Sequence, residues 1–270
     1  MTGVLEVTIL GCGSSGGVPR ADGAWGACDP NEPRNRRSRC SLLVRRRGEG
    51  GPEHETTVLV DTAPDLRLQT AAAGVKRVDA VLFTHDHADQ AHGIDDLRAF
   101  YLRNRTRPPC YMDAATRANL TRRFDYVFEG QGGYPAICEA RDLPPLGAPF
   151  AIEGPSGPVP VVGFDQDHGE VRSVGFRFGP AAYSSDVVGL PDEAFAALDG
   201  VEVWIVDALR EHPHPTHAHL QMTLDWIARV RPKRAILTNL HIDLDYADLK
   251  RRLPEGVEPA YDGLRFEVAI

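Results

Sequence analysis

Short hydrophobic runs recur along the whole chain and alternate with segments in which apolar residues follow a helical spacing. The first run alternates between polar and apolar positions, which is typical of a half-buried strand. Strands are predicted at residues 5–10, 57–60, 80–83, 159–164, 173–178, 181–184, 203–206, 235–237 and 264–269. Helices are predicted at residues 65–73, 94–102, 114–128 and 219–230, and Asp113 is a typical N-cap for the third of them.

The order of these elements predicts one α/β domain over residues 1–270. Strands and helices are interleaved throughout, and no internal repeat or low-complexity linker separates two modules. Hydrophobic content of 42% and charged content of 25% are ordinary for a globular protein. The formal net charge of −8 disfavours nucleic acid and membrane surfaces, so an anionic substrate must be attracted locally.

The cysteines and the N-terminal segment indicate a cellular setting. The five cysteines, at positions 12, 28, 40, 110 and 138, are scattered and include no Cys-x-x-Cys pair. This disfavours both a disulfide framework and a zinc knuckle. No run approaches the ~18 apolar residues of a membrane span, and no basic leader or cleavage pattern precedes the first strand. We therefore expect a reducing, cytoplasmic location.

The segment most informative about chemistry is Thr-His-Asp-His-Ala-Asp-Gln at residues 84–90, directly after a predicted strand. Alternate residues of an extended chain point to the same side, so His85 and His87 can bind one cation. Asp89, on the turn beyond, can reach a neighbouring point. The arrangement predicts a metal-activated water.

Three further residues extend this pattern downstream. His168 precedes a glycine, and Asp186 and His241 each follow a short apolar run. A single histidine is usually a surface or hydrogen-bonded core residue, and two close together can occur by chance. Such side chains at four consecutive strand ends favour a metal site over that interpretation.

Two loops add candidate contacts for an anionic substrate. The glycine-rich loop at residues 11–17, which contains Ser14 and Ser15, either presents backbone N–H groups to an anion or is a tight turn beneath the metal site. The basic run at residues 34–39 either contacts substrate or is a solvated surface.

Together these residues resemble the metallo-β-lactamase fold of metal-dependent hydrolases, and within it the phosphoribosyl cyclic-phosphate phosphodiesterases of phosphonate breakdown. The resemblance covers residues 4–266 and implies an α/β fold, a four-layer αββα sandwich with its metals at one end between the loops. Its motifs are the glycine-rich loop, Val-Asp-Thr at 60–62, the segment 84–89, Asp-His-Gly at 167–169, Ser-Asp at 185–186, Pro-Thr-His at 215–217 and Leu-Thr-Asn-Leu-His at 237–241.

The resemblance implies two divalent cations, zinc or manganese. It assigns the second cation to Asp89 and His241 and makes Asp186 the bridging carboxylate. The ligands of the first cation would be His85, His87 and His168. Asp61 would orient the metal-binding loop from behind, because a ligand imidazole is fixed by the group that its other nitrogen contacts.

The chain departs from the family pattern at Gln90, where a histidine normally binds the second metal. Glutamine can offer only a neutral amide oxygen, and His92 would have to remodel the turn to replace the missing imidazole. We therefore expect a firm first site and a weaker, oxygen-rich second site that suits manganese or magnesium better than zinc.

A structural zinc, which some relatives bind on a cysteine cluster in the first long loop, is expected to be absent. Only Cys28 precedes Cys40 in that loop, and Leu244 stands three residues after His241. Asp243 and Asp245 are then predicted to form a turn and a helix N-cap.

The resemblance places a proton donor at His217, within His-Pro-His-Pro-Thr-His-Ala-His at residues 212–219. An imidazole near neutrality can hold and release the proton that a leaving alkoxide needs. His219 is the alternative donor, and the stretch can also be an exposed loop stiffened by proline. Catalytic roles are thus assigned to His217 and Asp89.

The predicted function is hydrolysis of a small cyclic or nucleotide-like phosphodiester. A tRNA 3′-end endonuclease shares the motif but relies on a long arm, for which no insertion has the needed length. A thioester or lactone hydrolase and a non-catalytic binding module remain alternatives. We expect a small phosphorylated substrate, no stable nucleic-acid partner and no membrane partner, and we leave a homodimer open.

Overall fold

The computed structural model describes residues 3–270, which contain two seven-stranded β-sheets packed face to face. The first sheet has the order β14-β1-β2-β3-β4-β5-β6 and the second has the order β13-β12-β11-β10-β9-β8-β7. The strands are β1 (Val4–Gly11), β2 (Ser41–Arg46), β3 (Thr56–Val60), β4 (Ala80–Leu82), β5 (Pro109–Met112), β6 (Glu139–Asp142), β7 (Pro149–Ile152), β8 (Val159–His168), β9 (Val171–Phe178), β10 (Ala181–Ser184), β11 (Val203–Asp207), β12 (Arg234–Thr238), β13 (Val257–Pro259) and β14 (Arg265–Ala269).

Helices cover the outer face of each sheet, so the layers are αββα, as predicted. On the first sheet lie α1 (Leu66–Ala72), α2 (Ala88–Ala91), α3 (Leu97–Asn104), α4 (Ala114–Arg123) and α5 (Asp125–Phe128). On the second lie α6 (Asp192–Ala197), α7 (Leu220–Val230) and α8 (Tyr246–Arg252). Two short 3-10 turns, Pro33–Asn35 and Ile94–Asp96, complete the elements.

Side-chain alternation along the strands builds these layers. In β3, Val58 and Val60 enter the core between the sheets, whereas Leu59 packs under the helices of the first sheet. In β11, Ile205 faces the same central core and Trp204 faces the helices of the second sheet. Both faces of these strands are buried, which explains why they are continuously apolar in sequence.

The parallel parts of the sheets determine where polar side chains gather. Strands β3 to β6 are parallel neighbours, and so are β10 to β13. The carboxyl ends of parallel strands lie at one edge of a sheet, where ligand sites of α/β folds form. Residues that follow β3, β4, β10, β11 and β12 therefore meet at one end of the sandwich.

Several predicted elements differ in extent from those observed. The pattern missed β2, β5, β6, β7 and β13, and it placed one helix at 114–128 where Phe124 separates α4 from α5. Strand β2 carries the buried Arg45, whose guanidinium lies 2.5 Å from the Glu6 carboxylate of β1. A charged side chain at this position therefore does not mark a loop. Asp113 does cap α4, since its carboxylate accepts from the Thr116 N–H at 2.7 Å.

Two further observations concern membrane-spanning helices and disulfides. No helix within residues 3–270 is long and apolar enough to cross a membrane. All five cysteines lie in this described part of the chain, where they are buried and form no disulfide.

Candidate metal centre

The first histidine of the motif is held by a hydrogen-bonded chain that leaves one ring nitrogen free. Asp61 accepts from the Thr84 N–H at 2.8 Å and from the Thr84 hydroxyl at 2.9 Å. The same hydroxyl lies 3.0 Å from Nδ1 of His85, so its oxygen accepts the Nδ1 proton. Nε2 of His85 is buried and has no partner among the described residues. A buried lone pair of this kind is a ready cation ligand.

Asp61 lies behind the loop and accepts from Thr84, and its predicted role in orienting the metal-binding loop stays a prediction. Burial raises the pKa of Asp61 well above its usual value, and the two hydrogen bonds from Thr84 oppose that effect. A cation on His85 favours the ionised carboxylate, which is the form that keeps the Thr84 proton directed at Asp61.

His168 has the same arrangement on the opposite sheet. Its Nδ1 donates to the Thr216 carbonyl at 2.7 Å, which leaves Nε2 with a lone pair. That Nε2 lies 3.4 Å from Nδ1 of His87. Two nitrogens at ~2.0–2.1 Å from a tetrahedral zinc lie about 3.3–3.4 Å apart. The spacing therefore fits two ligands of one cation.

The ring nitrogens and one carboxylate converge. Among residues 3–270, two groups of three ligand atoms lie within 4.8 Å of one another: His85, His87 and His168, and His168, Asp186 and His217. Burial lowers the pKa of His85 to about 3 and also lowers the pKa of His168, so both rings are neutral. Neutral imidazoles around a buried carboxylate fit a divalent cation such as zinc or manganese.

Backbone strain marks the same end of the sandwich. Asp61, Asp186 and Asn239 have φ values of 63°, 55° and 60°, although none is glycine. Each follows a parallel strand by one or two residues, and each is buried. Non-glycine residues in the left-handed region cost about 1–3 kcal/mol and cluster at functional sites.

Gln90 is buried beside Asp186, and His92 is not. Nε2 of Gln90 donates to Oδ2 of Asp186 at 2.9 Å, while Oε1 of Gln90 is buried without a partner. The His92 ring is exposed and packs edge-to-face on Phe124 at 5.5 Å between centroids. Asp89, at the start of α2, is half-buried and belongs to neither ligand group.

His241 also lies outside both ligand groups, and its two ring nitrogens have other partners. Nδ1 donates to the Asp243 carboxylate at 2.8 Å, and Nε2 accepts from the guanidinium of Arg20 at 2.5 Å. The roles of Asp89 and His241 as ligands of a second cation stay predictions. Asp243 supports His241, and Asp245 caps α8 through the Asp248 N–H, as predicted.

The loop that carries His241 is held by the buried guanidinium of Arg37. Arg37 is 2% exposed and donates to the His241 carbonyl at 3.2 Å and to the Leu244 carbonyl at 2.7 Å. Its guanidinium also contacts the Cys28 sulfur at 3.8 Å. Within the basic run at 34–39, Arg36 is exposed and stacks on Trp25, whereas Arg37 is buried.

His217 is paired with a buried carboxylate. Its Nδ1 lies 2.9 Å from Oδ2 of Asp207, which is itself held by the Val187 N–H. Burial alone would lower the pKa of His217, but the carboxylates of Asp207, Asp186 and Asp89 raise it to about 9. These carboxylates therefore favour the protonated form of the His217 ring.

A cleft of about 410 Å³ opens beside His217. Its lining includes Ser14, Ser15, Arg20, Arg210, His214, His217, Asn239 and His241. The predicted contacts Ser14 and Ser15 thus face the same space as two arginines, although the chain as a whole is acidic. A larger cleft of about 640 Å³, along α4 and β6, contains none of the predicted site residues.

The family profile described as Beta-lactamase superfamily domain matches residues 56–242, from the start of β3 to just beyond His241. The chain belongs to the beta-lactamase superfamily. The matched range includes the histidine cluster and the His217–Asp207 pair, whereas Ser14, Ser15 and Arg20 precede it.

Solved structures similar to this chain extend over nearly its full length. A structure described as a new diphosphatase from the PhnP family is 31% identical, covers 100% of this chain and 99% of its own, and has a TM-score of 0.84. Zinc-bound PqqB from Methylobacterium extorquens is 20% identical, with coverage of 97% and 99% and a TM-score of 0.70. The short form of human tRNase Z is 17% identical, with coverage of 97% and 98% and a TM-score of 0.65. The last two are similar in fold alone.

One curated relative is named as a transferase and not as a hydrolase. The octanoyltransferase of Porphyromonas gingivalis is 28% identical over 269 residues, which are 96% of this chain and 51% of that protein. The chain therefore spans about half the length of the curated relative that it matches.

Sequence reasoning missed three residues of this superfamily site. Asp207 follows the apolar run at 203–206, and the same pattern had identified Asp186, so the signal was present. Arg210 and Arg20 lie in loops, where a charged residue is usually just solvated, and no local pattern distinguishes them. Only the fold brings Arg20 to His241, across 221 positions of sequence.

Proposed function

We propose that this hydrolase cleaves small, anionic phosphodiesters at the centre built on His85, His87, His168 and Asp186. One observation carries the proposal: a cleft with two arginines, Arg20 and Arg210, adjoins the proton-bearing His217. A phosphodiester needs both features, because negative charge gathers on its non-bridging oxygens and its leaving alkoxide needs a proton.

The reaction would need a metal centre and groups that bind the substrate, and residues of the chain can supply both. A divalent cation, when bound, would polarise a phosphoryl oxygen and lower the pKa of a bound water towards ~7. The three histidines and Oδ1 of Asp186 would hold that cation. Arg20 and Arg210 orient the substrate by hydrogen bonds to its free oxygens, since a guanidinium matches phosphate geometry.

His217 performs the proton transfer. Its Nδ1 keeps a proton that is hydrogen-bonded to Asp207, so the proton on Nε2 is the one donated to the leaving oxygen as the phosphorus–oxygen bond breaks. Asp207 keeps the ring in this orientation and stabilises its positive charge. The Asp207–His217 pair would thus act as a carboxylate-supported general acid.

Turnover of defined substrates tests the proposal. We expect the manganese- or zinc-loaded protein to hydrolyse bis-nitrophenyl phosphate and small cyclic phosphates, and His168→Ala to abolish both activities. A panel of cyclic phosphates, dinucleotides and diphosphates would then define the substrate, and the diphosphatase with 31% identity makes the last class a useful member. Failure of the metal-loaded protein on every phosphate of the panel would overturn the proposal.

Thioester hydrolysis is the second candidate. The observation that favours it is the match to half of a protein named octanoyltransferase. The cleft is lined by arginine, histidine and serine, which suits a phosphate better than an octanoyl chain. An octanoyl thioester in the same panel separates the two, because faster turnover of the thioester than of every phosphate would favour this candidate.

A further inference from the structure

We propose that this centre binds a single cation and that the guanidinium of Arg20 supplies the positive charge that a second cation would otherwise provide. The inference concerns ligand atoms that already have partners within the chain. It requires the metal centre but is independent of the substrate proposed above, so the two can fail separately.

The carboxylate of Asp186 is the first reason. Its Oδ1 faces the histidines, at 4.0 Å from Nε2 of His168 and 3.8 Å from Nδ1 of His217. Its Oδ2, the oxygen left for a bridging role, accepts from Nε2 of Gln90 at 2.9 Å and from the hydroxyl of Ser185. Two hydrogen-bond donors on Oδ2 leave little room for a second cation there.

The ring of His241 is the second reason. Its Nδ1 proton is directed to Asp243, so Nε2 carries the only lone pair that could bind a metal. The Arg20 guanidinium donates to that lone pair. Arginine has no acceptor and does not lose its proton in proteins, so a cation could reach Nε2 only by displacing Arg20.

Gln90 and Arg20 change the charge of the site in complementary ways. Gln90 stands where the family resemblance implies a ligand and is a neutral amide whose Nε2 donates to Asp186, whereas Arg20 brings one positive charge to His241. Arg20 also lines the cleft together with His217. A phosphate oxygen in the cleft would then meet the bound cation on one side and a fixed guanidinium on the other.

Counting metal ions tests this inference without reference to activity. The wild type, dialysed against zinc or manganese and analysed by elemental and native mass spectrometry, should hold one equivalent per chain. Gln90→Glu keeps the side-chain shape but turns a donor into a carboxylate ligand, and Arg20→Met removes the guanidinium from an exposed position. The double variant Arg20→Met/Gln90→Glu should hold two equivalents.

Arg210→Met is the matched control, because it removes the same charge from the same cleft. Combined with Gln90→Glu, it should leave the count below that of the Arg20→Met double variant. Two tightly held ions in the wild type would overturn the inference, and so would a single ion in the folded Arg20→Met/Gln90→Glu protein. If the double variant does not fold, Arg20→Met alone should acquire a second, weaker manganese ion in titrations, and no second ion would count against the proposal.

Inorganic phosphate provides a second measurement. For the protein loaded with one metal, we expect Arg20→Met to weaken phosphate binding by about 10- to 100-fold in calorimetry, the effect of losing one charge-assisted hydrogen bond. Unchanged phosphate affinity would show that Arg20 does not supply the second charge.

Discussion

The two sides of the centre contain histidines that are prepared in the same way but face different partners. In His85, His168 and His241, Nδ1 is the protonated nitrogen and is held by a hydroxyl, a carbonyl and a carboxylate, respectively. On the buried side, the Nε2 atoms of His85 and His168 are left for a cation. On the open side, Nε2 of His241 already accepts from Arg20.

The tautomer of a histidine is therefore not enough to make it a metal ligand. Its free nitrogen must also lie near other lone pairs, because a cation can then bind several of them at once. The buried side offers such a convergence, with 3.4 Å between ring nitrogens. On the open side, Arg20 is a hydrogen-bond donor to Nε2 of His241, so that lone pair already has a partner within the chain.

The largest expected effect comes from removing one histidine from each side. His168→Ala should lower metal affinity by more than about 100-fold, beyond the range for loss of a supporting group alone. His241→Ala should retain the metal, because its Nε2 is bound to Arg20. Equilibrium dialysis of both variants measures this contrast, and equal loss of metal in the two would refute it.

The proton donor should affect turnover and leave the metal in place. His217→Ala should reduce kcat on esters with alkyl leaving groups by about 10²–10⁴-fold. The loss should be much smaller with a nitrophenolate leaving group, which departs without a proton. Asp207→Asn should show the same dependence on leaving group with a smaller loss, and equal losses on both esters would contradict proton donation.

Removing the hydroxyl that holds His85 should lower metal affinity by an intermediate amount. Thr84→Val removes the hydroxyl between Asp61 and His85, so metal affinity should fall about 10- to 100-fold. Thr70→Val is a suitable control, since that buried hydroxyl bonds the Leu66 carbonyl in α1. Competition with a chromophoric chelator measures both affinities, and similar affinities for the two variants would remove the role given to Thr84.

The smallest effect is expected on the free energy of unfolding, through the loop that carries His241. Arg37→Met removes the donors that hold the carbonyls of His241 and Leu244, and should lower the free energy of unfolding by about 1–3 kcal/mol. Arg36→Met, which loses only an exposed contact with Trp25, should cost about 0.5–1 kcal/mol. Urea unfolding of both proteins provides the comparison, and the interpretation of Arg37 fails if Arg36→Met is the more destabilised.

The sequence predicted those parts of the fold and site that follow from local pattern. Apolar runs located the central strands, and polar residues directly after them, such as His85 and Asp186, were predicted as site residues. Strand β2 was missed because Arg45 is buried on a partner, and partners cannot be seen from local spacing. Arg20 was missed for the same physical reason, since a long-range contact turns a surface charge into part of the site.

One peptide unit, between Thr216 and His217, joins the two chemical tasks of the molecule. Its carbonyl fixes the ring of His168, and the side chain that follows is the proposed acid. A rearrangement of the loop at 211–219 that swings the acid towards a bulkier substrate must also rotate a cation ligand. Adaptation of this loop to new substrates is therefore coupled to metal retention, and a collection of loop variants should show the two properties changing in step.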